Sequence, residues 1–126
     1  MLSRSLSILV LGLIALLSLA TPAAAGPDFW QVWNNRNQCA KKDVRVVGAI
    51  MKFCAHNFWT GNAYAADGQS QSGVKVGVGA SCRYGTFVPK EWCESQMLEV
   101  CAYGSARGRG QRKYDSGCQH FWITNG

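Results

Sequence analysis

Apolar positions along this chain fall into four patterns, and each predicts a different kind of segment. An apolar run from Leu6 through Leu19 follows a basic start at Arg4 and ends in Thr21-Pro22-Ala23-Ala24-Ala25, where Ala23 and Ala25 form an A-x-A cleavage pattern. The run is shorter than the ~20 residues a membrane-spanning helix needs. Residues 1–25 are therefore expected to be a signal peptide, and 26–126 a single secreted domain with no membrane span. Three- and four-residue steps mark two helices. Val44, Val47, Ile50, Met51 and Cys54 follow Asp43, a good N-cap type, and predict a helix over 43–55, although β-branched Val44, Val46 and Val47 and the interior Gly48 favour a strand. Cys93, Met97, Val100 and Cys101 form the inward stripe of a second helix that Pro89 opens and Gly104 stops.

Strict alternation at Val74, Val76, Val78 and Ala80 predicts a half-buried strand whose other face, with Gly77 and Gly79, is nearly bare. The stretch from Cys118 to Ile123 is aromatic and β-branched and reads as a closing strand. Three segments show no period. Residues 26–38 read as an extended lead-in, 60–73 as a long surface loop with an Asp67-Gly68 turn, and 105–113 as a Gly/Arg loop. Two helices and two strands so far apart in sequence are not joined by a local hairpin. The expected architecture is α+β, a small disulfide-stabilised sandwich with about two helices on one face of an antiparallel or mixed sheet.

Cysteine content decides what holds such a fold. The domain after the leader has 101 residues, enough for one core and too few for two, and its small size leaves a thin margin over chain entropy. Cys39, Cys54, Cys82, Cys93, Cys101 and Cys118 all lie downstream of the leader, so three disulfides are expected. Of the fifteen possible pairings one is excluded: Cys93 and Cys101 lie eight residues apart on one helix, about 12 Å, against the roughly 4.4–6.8 Å a disulfide spans. No C-x2-C or H-x3-H pair occurs, so no metal site is expected, and no cofactor is implied. No Asn-x-Ser/Thr sequon occurs either.

With Arg4 in the leader, twelve Lys and Arg stand against seven Asp and Glu, a net charge of +5 that favours encounter with anionic surfaces or glycans. Arg107, Arg109, Arg112 and Lys113 are the densest part of that charge, interleaved with Gly108 and Gly110 and followed by Tyr114, a stacking group. They are candidate partner contacts, expected to act in binding rather than folding. Five tryptophans are more than a domain of this size readily buries. Phe58-Trp59, and Phe29-Trp30 with Trp33, are candidate contact patches. His56 and His120, with Glu91, Glu94 or Glu99, are the residue types of a phosphodiester-cleaving acid/base pair. Nothing in their spacing requires that chemistry, and no nucleophile elbow is present, so no catalytic residue is assigned.

The order Asp43-Val44, Ala49-Ile50, Phe53-Cys54, Tyr64-Ala65-Ala66-Asp67-Gly68, Cys82, Val88-Pro89, Cys93, Gln96, Cys101-Ala102, Tyr114 and Gly117-Cys118-Gln119 resembles small secreted cysteine-rich proteins of filamentous fungi. Many of these are candidate effectors of plant pathogens. A second likeness is to the virally encoded killer toxin fold of smut fungi. The first resemblance implies a monomeric virulence protein that binds a host protein in the apoplast or inside the host cell, and it offers no catalytic residue to carry over. The second implies a secreted antimicrobial toxin. A small ribonuclease-like hydrolase is the enzymatic alternative.

Overall fold

The computed structural model of the protein describes residues 26–82 and 84–126, so the signal-peptide expectation for 1–25 lies outside the described residues. Four helices and two antiparallel sheets give the expected α+β class. Helix α1 is Phe29–Lys42, α2 Val44–Phe53, α3 Ala63–Asp67 and α4 Lys90–Ala102. Strands β2 (Gln69–Gln71), β3 (Val74–Ala80), β6 (Gln119–Asn125) and β5 (Gly110–Tyr114) form one sheet in that order, while β1 (Phe58–Trp59) and β4 (Phe87–Val88) form a two-residue ladder.

Helix α1 corrects the expected extended lead-in. Asp28 caps it by accepting from the backbone N–H groups of Trp30 and Gln31. Its inward stripe is Val32, Asn35 and Cys39, one polar residue and two small apolar ones, while the aromatic residues point outward. The helical period is present, but it is not written in hydrophobicity. Asp43 then separates two helices: its extended backbone ends α1 with a 2.9 Å bond from its N–H to the Cys39 carbonyl, and its carboxylate caps α2 through the Arg45 N–H. Helix α2 buries Val46, Val47, Ala49, Ile50 and Phe53. Val44, expected inside, is exposed.

The expected loop over 60–73 also contains structure. Asn62 caps α3 through the Ala65 N–H. Strands β2 and β3 then join in a two-residue hairpin whose turn residues, Ser72 and Gly73, both have positive φ, at 54° and 79°. That turn matches the right-handed twist of the flanking strands. Strand β3 follows the predicted span and pairs along its length with β6, Val76 opposite Ile123 and Val78 opposite Phe121. The two strands far apart in sequence pair directly, and a local hairpin flanks them on each side. Val74, Val76, Val78, Phe121 and Ile123 face the core, where Ile50, Phe53, Met97, Leu98 and Val100 meet them.

Three disulfides brace this core: Cys39–Cys101, Cys54–Cys93 and Cys82–Cys118, with Cα separations of 5.3, 5.5 and 4.9 Å. Cys93 and Cys101 both bond outside their own helix, as the geometry demands. The bridges close loops of 36 to 62 residues, each worth about 4 kcal/mol in the chain-entropy account. Such bonds form and persist in oxidising compartments, consistent with a secreted or extracellular protein. Among the described residues no helix is long and apolar enough to cross a membrane.

The Cys39–Cys101 bridge joins the last turns of α1 and α4, and the two helices pack along their lengths, with Arg36 of α1 near Glu94 of α4, so they run side by side with their carboxyl ends together. Lys42 Nζ donates to the Cys101, Ala102 and Gly104 carbonyls, closing the end of α4 with charge of the favoured sign. Gly108 lies over the same bridge. It is buried at φ +77°, and a Cβ built on it would stand 2.6 Å from Cys101 Sγ. Gly108→Ala should therefore lower stability by about 2–4 kcal/mol, combining left-handed strain with overpacking. Gly117→Ala, with the same sign of φ and open space around it, should cost only ~1 kcal/mol. Paired denaturant titrations check the difference.

Candidate functional site

The parallel arrangement of α1 and α4 brings the amino ends of both helices to one end of the molecule. Phe29, Trp30 and Trp33 project from the first turns of α1, with Trp30 72% exposed, and pack edge to face at centroid distances of 5.4 and 6.3 Å. Trp92 is exposed on the first turn of α4. Strand β4 leads directly into that turn, and its Phe87 packs on Trp59 at 5.5 Å with both rings exposed. Six of the nine large hydrophobic residues exposed among the described residues thus lie on the first turns of α1 and α4 or on the β1–β4 ladder that leads into α4. Phe58 is a correction to the expected patch. It is only 5% exposed and packs on Phe53 and Tyr64, because alternation along β1 turns it inward as Trp59 turns outward.

Glu94 lies on the same end of α4, its carboxyl pushed above the usual range by burial and by Glu91, against the opposing pull of Lys90 and Arg36. Arg36 is on α1, so charges of the two helices act on one another here.

The Arg/Gly segment lies at the other end and is not a flexible arm. Residues 105–109 form a closed turn: Ser105 N–H donates to the Arg109 carbonyl at 2.7 Å, and Ser105 Oγ accepts from the Arg107 and Arg109 N–H groups. Residues 110–114 are strand β5. The four cations are consequently divided. Arg109 is 15% exposed and donates to Asp43 Oδ2 at 2.7 Å and to Asn125 Oδ1 at 3.0 Å. Arg112 ion-pairs with Glu99 at 3.6 Å and lies over the Tyr103 ring. Arg107 and Lys113 are exposed, on the turn and on the outer side of β5. Tyr114, expected as a stacking group, is instead half-buried against Phe121, and its hydroxyl donates to Gln96 O and Glu99 Oε1. Burial and Glu99 push its phenol well above the ordinary range.

The two histidines are on opposite sides of the sheet. His56 packs against Tyr64 at 4.8 Å beside α2 on the helix-covered side, whereas His120 faces outward and meets Gln111 Oε1 at 2.8 Å. Glu99 is taken by Arg112 and Tyr114. The residue types of an acid/base pair are thus present but not brought together. Among the described residues no group of His, Cys, Asp or Glu could hold a metal ion. A surface that sequence reading described only as bare is the outer side of the sheet, where Trp122 lies against Gly77 and His120 stands beside Gly79. The alternation of β6 is the signal that locates it.

Asp43 links the turn over the Cys39–Cys101 bridge to both helix ends, and the guanidinium groups of Arg45 and Arg109 hold its carboxyl well below the usual carboxylate range. Asp43→Asn keeps the helix cap and removes the charge. It should lower stability by about 1–3 kcal/mol, the scale of hydrogen bonds to charged groups. A depressed carboxyl contributes fully above its unfolded value, near 3.9, and loses that contribution as pH falls toward the folded value. The difference between parent and variant should therefore be constant above about pH 5 and shrink below about pH 4. Arg107→Gln should stay within about 0.5 kcal/mol of the parent. Denaturant unfolding across pH reads all three.

Compared with models of protein families, with curated proteins and with solved structures, the chain matches none of them.

Proposed function

We propose that this protein is an exported, non-catalytic binding domain that engages a host protein through its aromatic end, in the manner of a fungal effector. The observation that supports this is the exposure of Phe29, Trp30 and Trp33 on the first turns of α1, of Trp92 on the first turn of α4, and of Trp59 and Phe87 on the ladder that leads into α4. Tryptophan is the residue most enriched at energetic centres of protein interfaces, and polar surroundings of the kind supplied by Arg36, Lys90 and Glu94 form the rim that excludes water. The core does not need these rings, because the residues that fill it are aliphatic groups, Phe53, Phe58 and Phe121. They are surface features carried at a cost in solubility, which function explains.

Removal of the outward rings separates binding from folding. Trp30→Ala combined with Trp33→Ser should leave the unfolding midpoint within a few degrees of the parent, since both side chains are mainly in solvent. The same pair should weaken capture of a host protein by at least thirtyfold, the equivalent of a ~2 kcal/mol hot spot. Affinity capture from host tissue with parent and variant measures this. Equal recovery of the same partner by both proteins would remove the aromatic end from the reading. Growth inhibition of fungi or bacteria by the oxidised protein, lost in the variant, would move it to the killer-toxin class.

A further inference from the structure

Among the described residues α2 and α4 pack on the side of the four-stranded sheet that carries Val76, Val78, Phe121 and Ile123, and the opposite side carries a compact set of polar and aromatic side chains. Strand pairing places them in rows: Lys75 beside Thr124, Gly77 beside Trp122 and Gln111, and Gly79 beside His120 and Lys113. The two glycines have different roles. A Cβ at Gly77 would stand 2.1 Å from Trp122 Cζ2, and one at Gly68 2.5 Å from its Cη2, so the indole is held against bare backbone at both glycines and stays partly exposed. At Gly79 the nearest atom to a built Cβ is His120 Cβ at 3.8 Å, so no side chain covers this position, a recess two residues along the strand from the covered glycine. The outward groups in these rows include two ammonium groups and an imidazole and no carboxylate. Lys75 and Lys113 make no ion pair among the described residues.

We propose that this face is a binding site for an acidic oligosaccharide, a pyranose chain bearing carboxylate or sulfate groups. A flat indole offers an apolar platform to the C–H face of a sugar ring. The recess at Gly79 admits an adjoining ring or substituent against His120. The Gln111 amide, whose oxygen meets His120 Nε2 at 2.8 Å, presents its NH2 to ring hydroxyls. Lys113 and Lys75, on either side of the platform, pair with anionic groups on successive sugars. A few placed polar groups around an apolar surface are the usual composition of a small-ligand site. Single-stranded nucleic acid fits the same face less well. Its binding rests on several phosphate contacts and on successive bases stacked on successive rings, whereas this face offers two ammonium groups and a single indole.

The test uses the oxidised protein and three probes: a linear oligogalacturonate, a sulfated heparin-derived oligosaccharide and a neutral cello-oligosaccharide. Calorimetric titration should show binding of at least one acidic probe, weakened by added salt, with the neutral probe at least tenfold weaker. Nuclear magnetic resonance should place the shift changes at the Trp122 indole N–H and at Gly79, Gln111 and Lys113. The preferred acidic probe distinguishes carboxylate from sulfate as the source of charge. Gly79→Val fills the recess with a residue suited to a strand, and Lys113→Gln removes one cation. Each should weaken binding at least tenfold at an unchanged unfolding midpoint. Binding unaffected by Gly79→Val, equal binding of the neutral probe, no binding of either acidic probe, or tighter binding of a single-stranded oligonucleotide would each overturn the proposal. The Trp30 and Trp33 variant should bind the sugar as the parent does, so this site and the aromatic end fail independently.

Discussion

Helix α4 is fastened at both ends, by Cys93 to the end of α2 and by Cys101 to the end of α1, and the placement of the three longest helices depends on those two bonds. A 13-residue helix with cysteines eight apart cannot close on itself, so each sulfur must recruit another element. Cys39 sits in the last turn of α1, and bonding it to the last turn of α4 brings the two carboxyl ends together, while packing along the helices sets them side by side in one direction. Parallel neighbours cannot be joined by a short turn. The chain between them instead travels through α2, α3, three strands and β4 before it returns; β2 and β3 form on that path, and β5 and β6 complete the sheet after α4.

Parallel helices also divide the domain into two chemically different ends. At the carboxyl ends the exposed carbonyls need donors, and Lys42 supplies them, while Asp43, Arg45, Arg109 and Asn125 close a polar network over the bridge. Charge there is consumed by structure. The amino ends have Asp28 as the cap of α1 and the Pro89 turn ahead of α4, and neither requires an aromatic side chain. The rings at that end are additional to what folding demands, which separates a surface for contact from a surface for architecture. A dense basic sequence and a binding surface are therefore not the same thing in this domain: Arg109 is among the most densely charged residues of the chain and one of its most committed structural side chains.

What could be read from the sequence depended on whether the structural signal was carried by hydrophobicity. Strand β3 and helix α4 alternate or recur in apolar residues, so their spans were legible, and the exclusion of a Cys93–Cys101 bridge followed from the helix alone. Helix α1 was not, because its buried stripe includes Asn35 and its largest apolar residues face water. Hairpin β2–β3 was hidden for a related reason: Gln69, Ser70 and Gln71 form an edge strand of polar residues, and its turn is marked by Ser72-Gly73 backbone geometry rather than by a strong turn dipeptide. The outward direction of Trp30, Trp33 and Trp59 could be suspected from composition, but Phe58 and Trp59 could not be assigned to opposite sides until β1 was paired with β4.

The alternate glycines of β3 show how far a local pattern constrains and where it stops. Val-x-Val-x-Val with glycine between predicts a strand with one bare side, and both glycines are equivalent in that pattern. Their partners make them different. Register with β6 sets Gly77 opposite Trp122 and Gly79 opposite His120. A large planar side chain collapses onto the first, while the imidazole leans toward Gln111 and leaves the second open. A one-residue slip of β6 would turn Phe121 and Ile123 out of the core, so the register that builds the interior is the same one that sets the platform beside the recess. The outer face is thus as fixed as the core behind it, and its open position is a consequence of packing rather than of disorder.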